Sequence, residues 1–202
     1  MARYTGPRLR ISRRLRTPVF GPSKYLERKD YPPGQHGQSR RRKATDYAMA
    51  LAEKQKMRYY YGLMEKQFRG VYKKAIRRRG VTGEIMLQIL ETRLDSVVFS
   101  LGFGYTRAQA RQMVTHGHVL VNGKRARTPS IALNENDAVE IKPVEKSRHL
   151  ADKNLEYSPS RIVPEWLERD KGEYKGTLKR MPTREDVEPI ANEQTIVEFY
   201  SR

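Results

Sequence analysis

The stretch Thr106-Arg107-Ala108-Gln109-Ala110-Arg111-Gln112-Met113-Val114, running on through His116-Gly117-His118-Val119-Leu120-Val121-Asn122-Gly123-Lys124-Arg125-Ala126-Arg127, decides the fold. Thr106 suits an N-cap, Ala110, Met113 and Val114 recur at helical spacing, and Gly117 ends the helix. Two β-capable runs then flank Asn122-Gly123, the strongest short hairpin signal, because a type I′ turn needs positive φ at both central residues. A third strand is expected at Ala138-Val139-Glu140-Ile141, after the turn Asn134-Glu135-Asn136-Asp137. Residues 93–142 therefore spell helix, helix, hairpin, turn and strand, a small α+β module.

Upstream the period is helical. Asp46 is the expected N-cap of a helix carrying Met49 or Ala50, Leu51, Lys54, Met57 and Arg58, with Gly62 as its stop. A second helix places Phe68, Val71, Tyr72, Ala75 and Ile76 on one face and ends at Arg77-Arg78-Arg79-Gly80. A third starts near Thr82 and carries Ile85 to Leu101, with a bend expected near Thr92. Before Asp46, Gly6-Pro7, Thr17-Pro18, Gly21-Pro22 and Tyr31-Pro32-Pro33-Gly34-Gln35-His36-Gly37 favour turns or extended chain. Only Leu9, Ile11, Leu15, Val19 and Phe20 offer anchors there, which reads as an irregular arm ordered mainly by its partner. The C-terminal part is broken by Pro159, Pro164, Pro182 and Pro189, and Thr195-Ile196-Val197-Glu198-Phe199-Tyr200 reads as a strand. The expected organisation is α+β in four parts. They are a basic arm (1–45), a helical domain (46–91), the small module (92–152) and a segment folding back on the helical domain (153–202).

The 202 residues hold 41 Lys+Arg against 23 Asp+Glu, a net charge of +18 with a pI near 10.2. The excess is graded: 13 basic and 2 acidic side chains in residues 1–45, 10 and 4 in 46–90, 9 and 6 in 91–150, and 9 and 11 in 151–202. A chain this basic resists compaction unless a polyanion neutralises it, and the gradient aims the N-terminal half at that partner. Zero cysteines exclude disulfides, a thiol nucleophile and any cysteine-ligated metal. No apolar run approaches the length of a membrane span or a signal core, so a soluble intracellular chain is expected.

Catalytic patterns are weak. Gly117-HVLVN-Gly123-Lys124-Arg125 imitates a phosphate-binding loop but has five residues between its glycines instead of four. Arg125 also stands where that loop needs a hydroxyl for magnesium. His116-x-His118 without a nearby cysteine is better read as an RNA-facing or surface pair than as metal ligands. Trp166, beside Pro164, reads as a packing anchor, and of Tyr59-Tyr60-Tyr61 one or two should be buried. The basic signals are stronger. Arg107 and Arg111 lie one helical turn apart, Lys124 and Arg125 leave the hairpin, and these charges would line one groove if helix and hairpin pack together.

Arg93-Leu94-Asp95, Thr106-Arg107-x2-Ala110-Arg111, His116-Gly117-His118 and Val121-Asn122-Gly123-Lys124 resemble the small RNA-binding domain named after ribosomal protein four of the small subunit. Ala2-Arg3-Tyr4-x-Gly6-Pro7, Tyr31–Gly37, Glu53-Lys54-Gln55-Lys56 and Asn192-Glu193-Gln194-x-Ile196-Val197-Glu198-Phe199-Tyr200-Ser201-Arg202 extend the likeness, in collinear order, to the bacterial or organellar ribosomal protein family itself.

The resemblance implies a non-catalytic protein, without cofactor or small-molecule substrate. It would bind small-subunit rRNA early and nucleate assembly of the subunit body. Beside small-subunit protein five, and with protein twelve, it would contribute to decoding accuracy and to unwinding of incoming mRNA. The expected rRNA contacts are Arg3, Arg8, Arg10, Arg13, Arg14, Gln35, His36, Lys54, Lys56, Arg58, Arg69, Arg93, Arg107, Arg111, His116, Lys124 and Arg125. Arg40, Arg41, Arg42 and Lys43 are expected where mRNA enters. The expected location is the cytoplasmic ribosome, or an organellar one. Many relatives hold zinc with four cysteines in the arm. This chain has none, so its arm must be held by RNA and by packing of residues such as Leu15 and Phe20. Asn136-Asp137 replaces the usual Gly-Asp turn, and Asn tolerates the left-handed conformation. An RNA-modifying enzyme or ribosome-rescue factor carrying the same module is the main alternative, and a DNA-binding or nucleoid protein the third.

Overall fold

The computed structural model describes residues 4–39, 43–157, 162–170 and 174–201. Their elements are α1 (Arg8–Leu15), α2 (Lys24–Arg28), α3 (Asp46–Tyr60), α4 (Glu65–Ile76), α5 (Thr82–Glu91), α6 (Leu94–Ser100), α7 (Arg107–His116), β1 (Val119–Val121), β2 (Lys124–Ala126), β3 (Ala138–Ile141), α8 (Glu145–Tyr157), β4 (Leu167–Arg169), β5 (Lys175–Leu178) and α9 (Glu193–Ser201). The chain is α+β, and it divides into two units. Met1–Met86 with Glu188–Arg202 form the first, and Leu87–Val187 form the second.

In unit 1, Thr45 rather than Asp46 caps α3, its Oγ1 accepting from Ala48 N–H at 3.3 Å. Ala50, Lys54 and Met57 turn inward, while Met49 is exposed. On α4, Phe68, Val71, Tyr72 and Ala75 are buried as their spacing predicts, but Ile76 is 54% exposed. The arm is more ordered than its punctuation suggests. Ile11 and Leu15, one turn apart on α1, pack with Val19 and with Tyr59 of α3, flanked by Tyr4 and Phe20. The Gly and Pro residues lie between helices rather than preventing them. Tyr59 and Tyr61 of the triple tyrosine are buried. The expected strand at 195–200 is the helix α9. The Asn192 side chain accepts from Thr195 N–H at 3.1 Å, and Ile196, Phe199 and Tyr200 recur at helical spacing. Tyr200 stacks on Tyr72 with ring centroids 4.8 Å apart. Packing on α3 and α4 outweighs the β preference of Thr195-Ile196-Val197.

Unit 2 holds a five-stranded antiparallel sheet in the order β2-β1-β3-β5-β4. Asn122 (φ 50°) and Gly123 (φ 75°) make the positive-φ turn between β1 and β2, and Asn136 takes φ 68° before β3. The bend near Thr92 is real and has a cause. Arg93 is extended and bridges Ala132, Leu94 N–H donates to Ile131 O at 2.9 Å, and Leu133 N–H donates to Thr92 O at 2.9 Å. One helix therefore becomes α5 and α6. The segment expected to fold back as one piece over 153–202 divides instead. β5 pairs with β3 and covers what would be an open sheet edge, and only residues 188–202 return to unit 1. Trp166, 1% exposed, is an anchor of this core, with Leu94, Val98, Leu101, Met113, Val119 and Leu178.

Candidate nucleic-acid interface

Unit 1 carries 24 Lys+Arg against 9 Asp+Glu and unit 2 carries 17 against 14, so +15 of the +18 belongs to unit 1. On α1, Ile11, Ser12 and Leu15 face the core, which leaves Arg8, Arg10 and Arg14 exposed. On α4 the same logic exposes Lys66, Arg69, Lys73 and Arg77, spaced three, four and four residues apart and so aligned in one stripe. Of these only Arg69 was expected; the stripe is legible in the sequence once the buried face of α4 is fixed.

Arg13 is different. Its guanidinium donates from Nε to Tyr31 O (3.1 Å) and from Nη2 to Pro32 O (3.3 Å), and lies 4.8 Å from the Tyr31 ring centroid. It ties α1 to the turn that presents the exposed Gln35 and His36. Ser39 Oγ donates to His36 O at 2.7 Å and closes that turn.

Three further expected contacts are internal. Lys54 is buried, with Nζ 3.0 Å from Glu65 Oε1 and 5.0 Å from the Phe199 ring centroid. Tyr200 donates to the same carboxylate oxygen at 2.7 Å. Burial pushes the Glu65 carboxyl up, but the bonds from Tyr200 and Lys54 outweigh it and hold the group below the ordinary carboxylate range. Arg58 donates to Gln55 from both Nε (3.1 Å) and Nη2 (2.6 Å), and Lys56 pairs with Glu53 at 2.6 Å. A spacing pattern reports that a lysine is on a helix, not that a glutamate eleven residues later will claim it.

The groove expected in the small module is not assembled as expected. Arg93 and Arg111, 7% and 8% exposed, turn inward onto Asp95, which is 5% exposed. Arg93 is bidentate to it (3.0 and 2.8 Å), and Arg111 Nη1 reaches Oδ2 at 2.8 Å. Ser96 N–H donates to Asp95 Oδ1 at 3.1 Å. Arg107 lies half-buried beside them, bonded to Ser96 Oγ (3.1 Å) and Glu91 Oε1 (3.3 Å) and 4.7 Å from the Phe99 ring centroid. A buried carboxylate requires compensating charge, and here the two guanidiniums supply it. Lys124 is exposed on β2, and Arg125 binds the carbonyls of His116 and Gly117. Lys43 is exposed, whereas Arg3, Arg40, Arg41 and Arg42 lie outside the described residues. Among the described residues no cluster of His, Asp or Glu is grouped to hold a metal, and no helix is long and apolar enough to cross a membrane.

A basic chain whose second unit opens on this helix–helix–hairpin module is an RNA-binding protein of the S4-domain class. The family described as the ribosomal protein S4/S9 N-terminal domain matches residues 3–91, and the S4 domain matches residues 92–139. The small ribosomal subunit protein uS4 of Opitutus terrae is 52% identical over 202 residues, that of Akkermansia muciniphila 50% over 203, and that of Salinibacter ruber 48% over 202. In each case all of both chains is covered. The chain belongs to the small ribosomal subunit protein uS4 family.

Proposed function

We propose that this protein is a structural constituent of the small ribosomal subunit that binds small-subunit rRNA early and nucleates assembly of the subunit body. The observation that carries the reading is the partition of its charge. Exposed basic stripes on α1 and α4 stand in a unit of +15, while Arg93, Arg107 and Arg111 of the S4 domain pair with Asp95 and Glu91. Arg8, Arg10, Arg14, Arg69 and Lys124, with Gln35 and His36 on the turn tied down by Arg13, are the direct contacts. Arg93, Arg107, Arg111, Lys54 and Arg58 hold the surface in shape. Phosphate contacts fix the register, and RNA shape supplies specificity.

In the assembled subunit of a cytoplasmic or organellar ribosome, Arg40 to Lys43 meet incoming mRNA. There the protein works beside small-subunit proteins five and twelve in decoding accuracy and unwinding. The match to uS4 relatives along the whole of this sequence favours the structural reading over the enzyme alternative.

The test is filter binding of the full chain to a small-subunit rRNA fragment against salt. About 6–10 phosphate contacts correspond to a loss of roughly 10³–10⁵ in affinity between about 50 and 200 mM salt on duplex DNA, and somewhat less on RNA. Replacing Lys66, Arg69 and Lys73 together by Gln should flatten the slope by roughly 2–3. Equal affinity for unrelated RNA at moderate salt would sink the assembly reading.

A further inference from the structure

The exit of α7 gathers four basic groups, of which His116 and Arg125 are among the rRNA contacts expected from sequence, while His118 and Lys142 are not. Gly117, at φ 74°, closes the helix: its N–H donates to Val114 O (2.9 Å), and His118 N–H donates to Met113 O (3.0 Å). This turn leaves the carbonyls of His116 and Gly117 without helical donors. Arg125 takes both, from Nη2 and Nε, each at 3.2 Å. A Cβ at position 117 would run into that guanidinium, so only glycine lets Arg125 cross there.

Strand register does the rest. Val119 pairs with Ala126 and Ile141, and Leu120 pairs with Arg125 and Glu140. Alternation therefore places His118, Arg125 and Lys142 on the face opposite the buried Val119, Ala126 and Ile141. Lys142 N–H donates to His118 O at 2.8 Å, and the rings of His116 and His118 are 6.2 Å apart. The carboxylate on that face, Glu140, is paired with Lys175 at 3.7 Å. From α8 the group facing the ring is Ser147, its Oγ 2.9 Å from His118 Nδ1, with Glu145, Lys146, Arg148 and His149 exposed on either side. Burial of the ring, and then the positive charges of His116, Arg125 and Lys142, hold the His118 pKa below its ordinary value.

We infer that His116, His118, Arg125 and Lys142 form a binding site for one phosphate group of the bound RNA, and that the site fills together with proton uptake by His118. The inference rests on the RNA-binding reading above. The positive groups converge, and the nearby carboxylate is already committed. A phosphate diester supplies the missing negative charge. With it in place the imidazolium is favoured, and the Ser147 hydroxyl, able to donate to or accept from Nδ1, accommodates either state.

The probe is inorganic sulfate, whose charge is constant between pH 5 and 8, added to the full chain at fixed ionic strength against chloride. Sulfate should raise the NMR titration midpoint of the His118 ring by at least about half a unit, and Lys142→Gln should abolish the rise. In parallel, rRNA-fragment affinity should increase as pH falls from 8 to 5.5, roughly tenfold for each unit by which binding raises the midpoint. That increase should be lost in His118→Gln and kept in His149→Gln. Trp166 fluorescence verifies that each variant is folded. An unmoved His118 midpoint in sulfate, with rRNA affinity equally pH-dependent in wild type and His118→Gln, overturns the inference while leaving RNA binding intact. Failure to bind rRNA selectively at any pH overturns the RNA reading instead.

Discussion

Asp95 joins two buried arginines in unit 2, and its replacement by Ala can be followed quantitatively. The carboxylate and its Arg93 and Arg111 partners are at most a tenth exposed in their side chains, and the bond from the Ser96 N–H to the carboxylate is buried. Removing it takes away the carboxylate that two buried guanidiniums share. Breaking a buried pair in this way costs about 3–5 kcal/mol, mostly the penalty of the stranded charge. With a urea slope of about 2 kcal/mol/M, the midpoint should fall by roughly 1.5–2.5 M. The assay is specific to the unit, because Trp166 is the one tryptophan of the chain and sits in the unit 2 core. Asp95→Asn, which keeps the shape and one acceptor, should lie between wild type and Ala. A midpoint shift under about 0.5 M for Asp95→Ala would mean that Arg93 and Arg111 reach solvent without it. The internal ion cluster would then be wrong, and the open groove expected from sequence would be restored.

Three more outcomes are expected. Tyr200→Phe should destabilise unit 1 at neutral pH, with the difference from wild type shrinking as Glu65 is protonated in acid. Glu65 binds its proton more weakly folded than unfolded, so its contribution is fully present above the ordinary value of 4.5 and is lost as pH falls through the lower folded value. The loss should be about 1 kcal/mol, discounted because Glu65 is nearly half exposed, and amide exchange in α9 reads it. Arg13→Met should cost about 1–2 kcal/mol and speed exchange of the Gly37 and Ser39 amides, whereas Arg14→Met, exposed one residue on, should change stability by under about 0.5 kcal/mol. Gly104→Ala should destabilise unit 2 by about 1–3 kcal/mol, since the new methyl would lie 2.7 to 2.9 Å from Ala110 atoms, and Trp166 fluorescence in urea measures it.

What was readable in the sequence was local. Thr106 does cap α7, its Oγ1 accepting from Gln109 N–H at 3.2 Å, and Asn122-Gly123 does turn the hairpin. Each signal needs only the residues beside it. The bend at Thr92 was visible as an over-long helix, although its cause, the bridge from Arg93 to Ala132, spans 39 residues. The larger failures were non-local. Thr195-Ile196-Val197 looks like strand until Tyr72 and Lys54 provide a surface for a helix. Arg93, Arg107 and Arg111 have the residue type and spacing of phosphate ligands, but a sequence does not say which cation will answer a buried aspartate. Lys142 enters the histidine cluster only through strand register, which depends on pairings across the hairpin and the turn before β3.

The composition of unit 1 from two separated stretches has a consequence for synthesis. Its first stretch ends at Met86, and its α9 is translated only after all of Leu87–Val187. At about 5–20 residues per second, the surface of α3 and α4 that receives α9 waits roughly 5–20 s for its cover. By the end of that interval the unit 2 sheet has all five of its strands, while Phe68, Tyr72 and Lys54 still lack Tyr200 and Phe199. The nascent chain thus completes its later-emerging half first. The half that carries most of the positive charge is left open longest, and a polyanion nearby would be the natural chaperone for it.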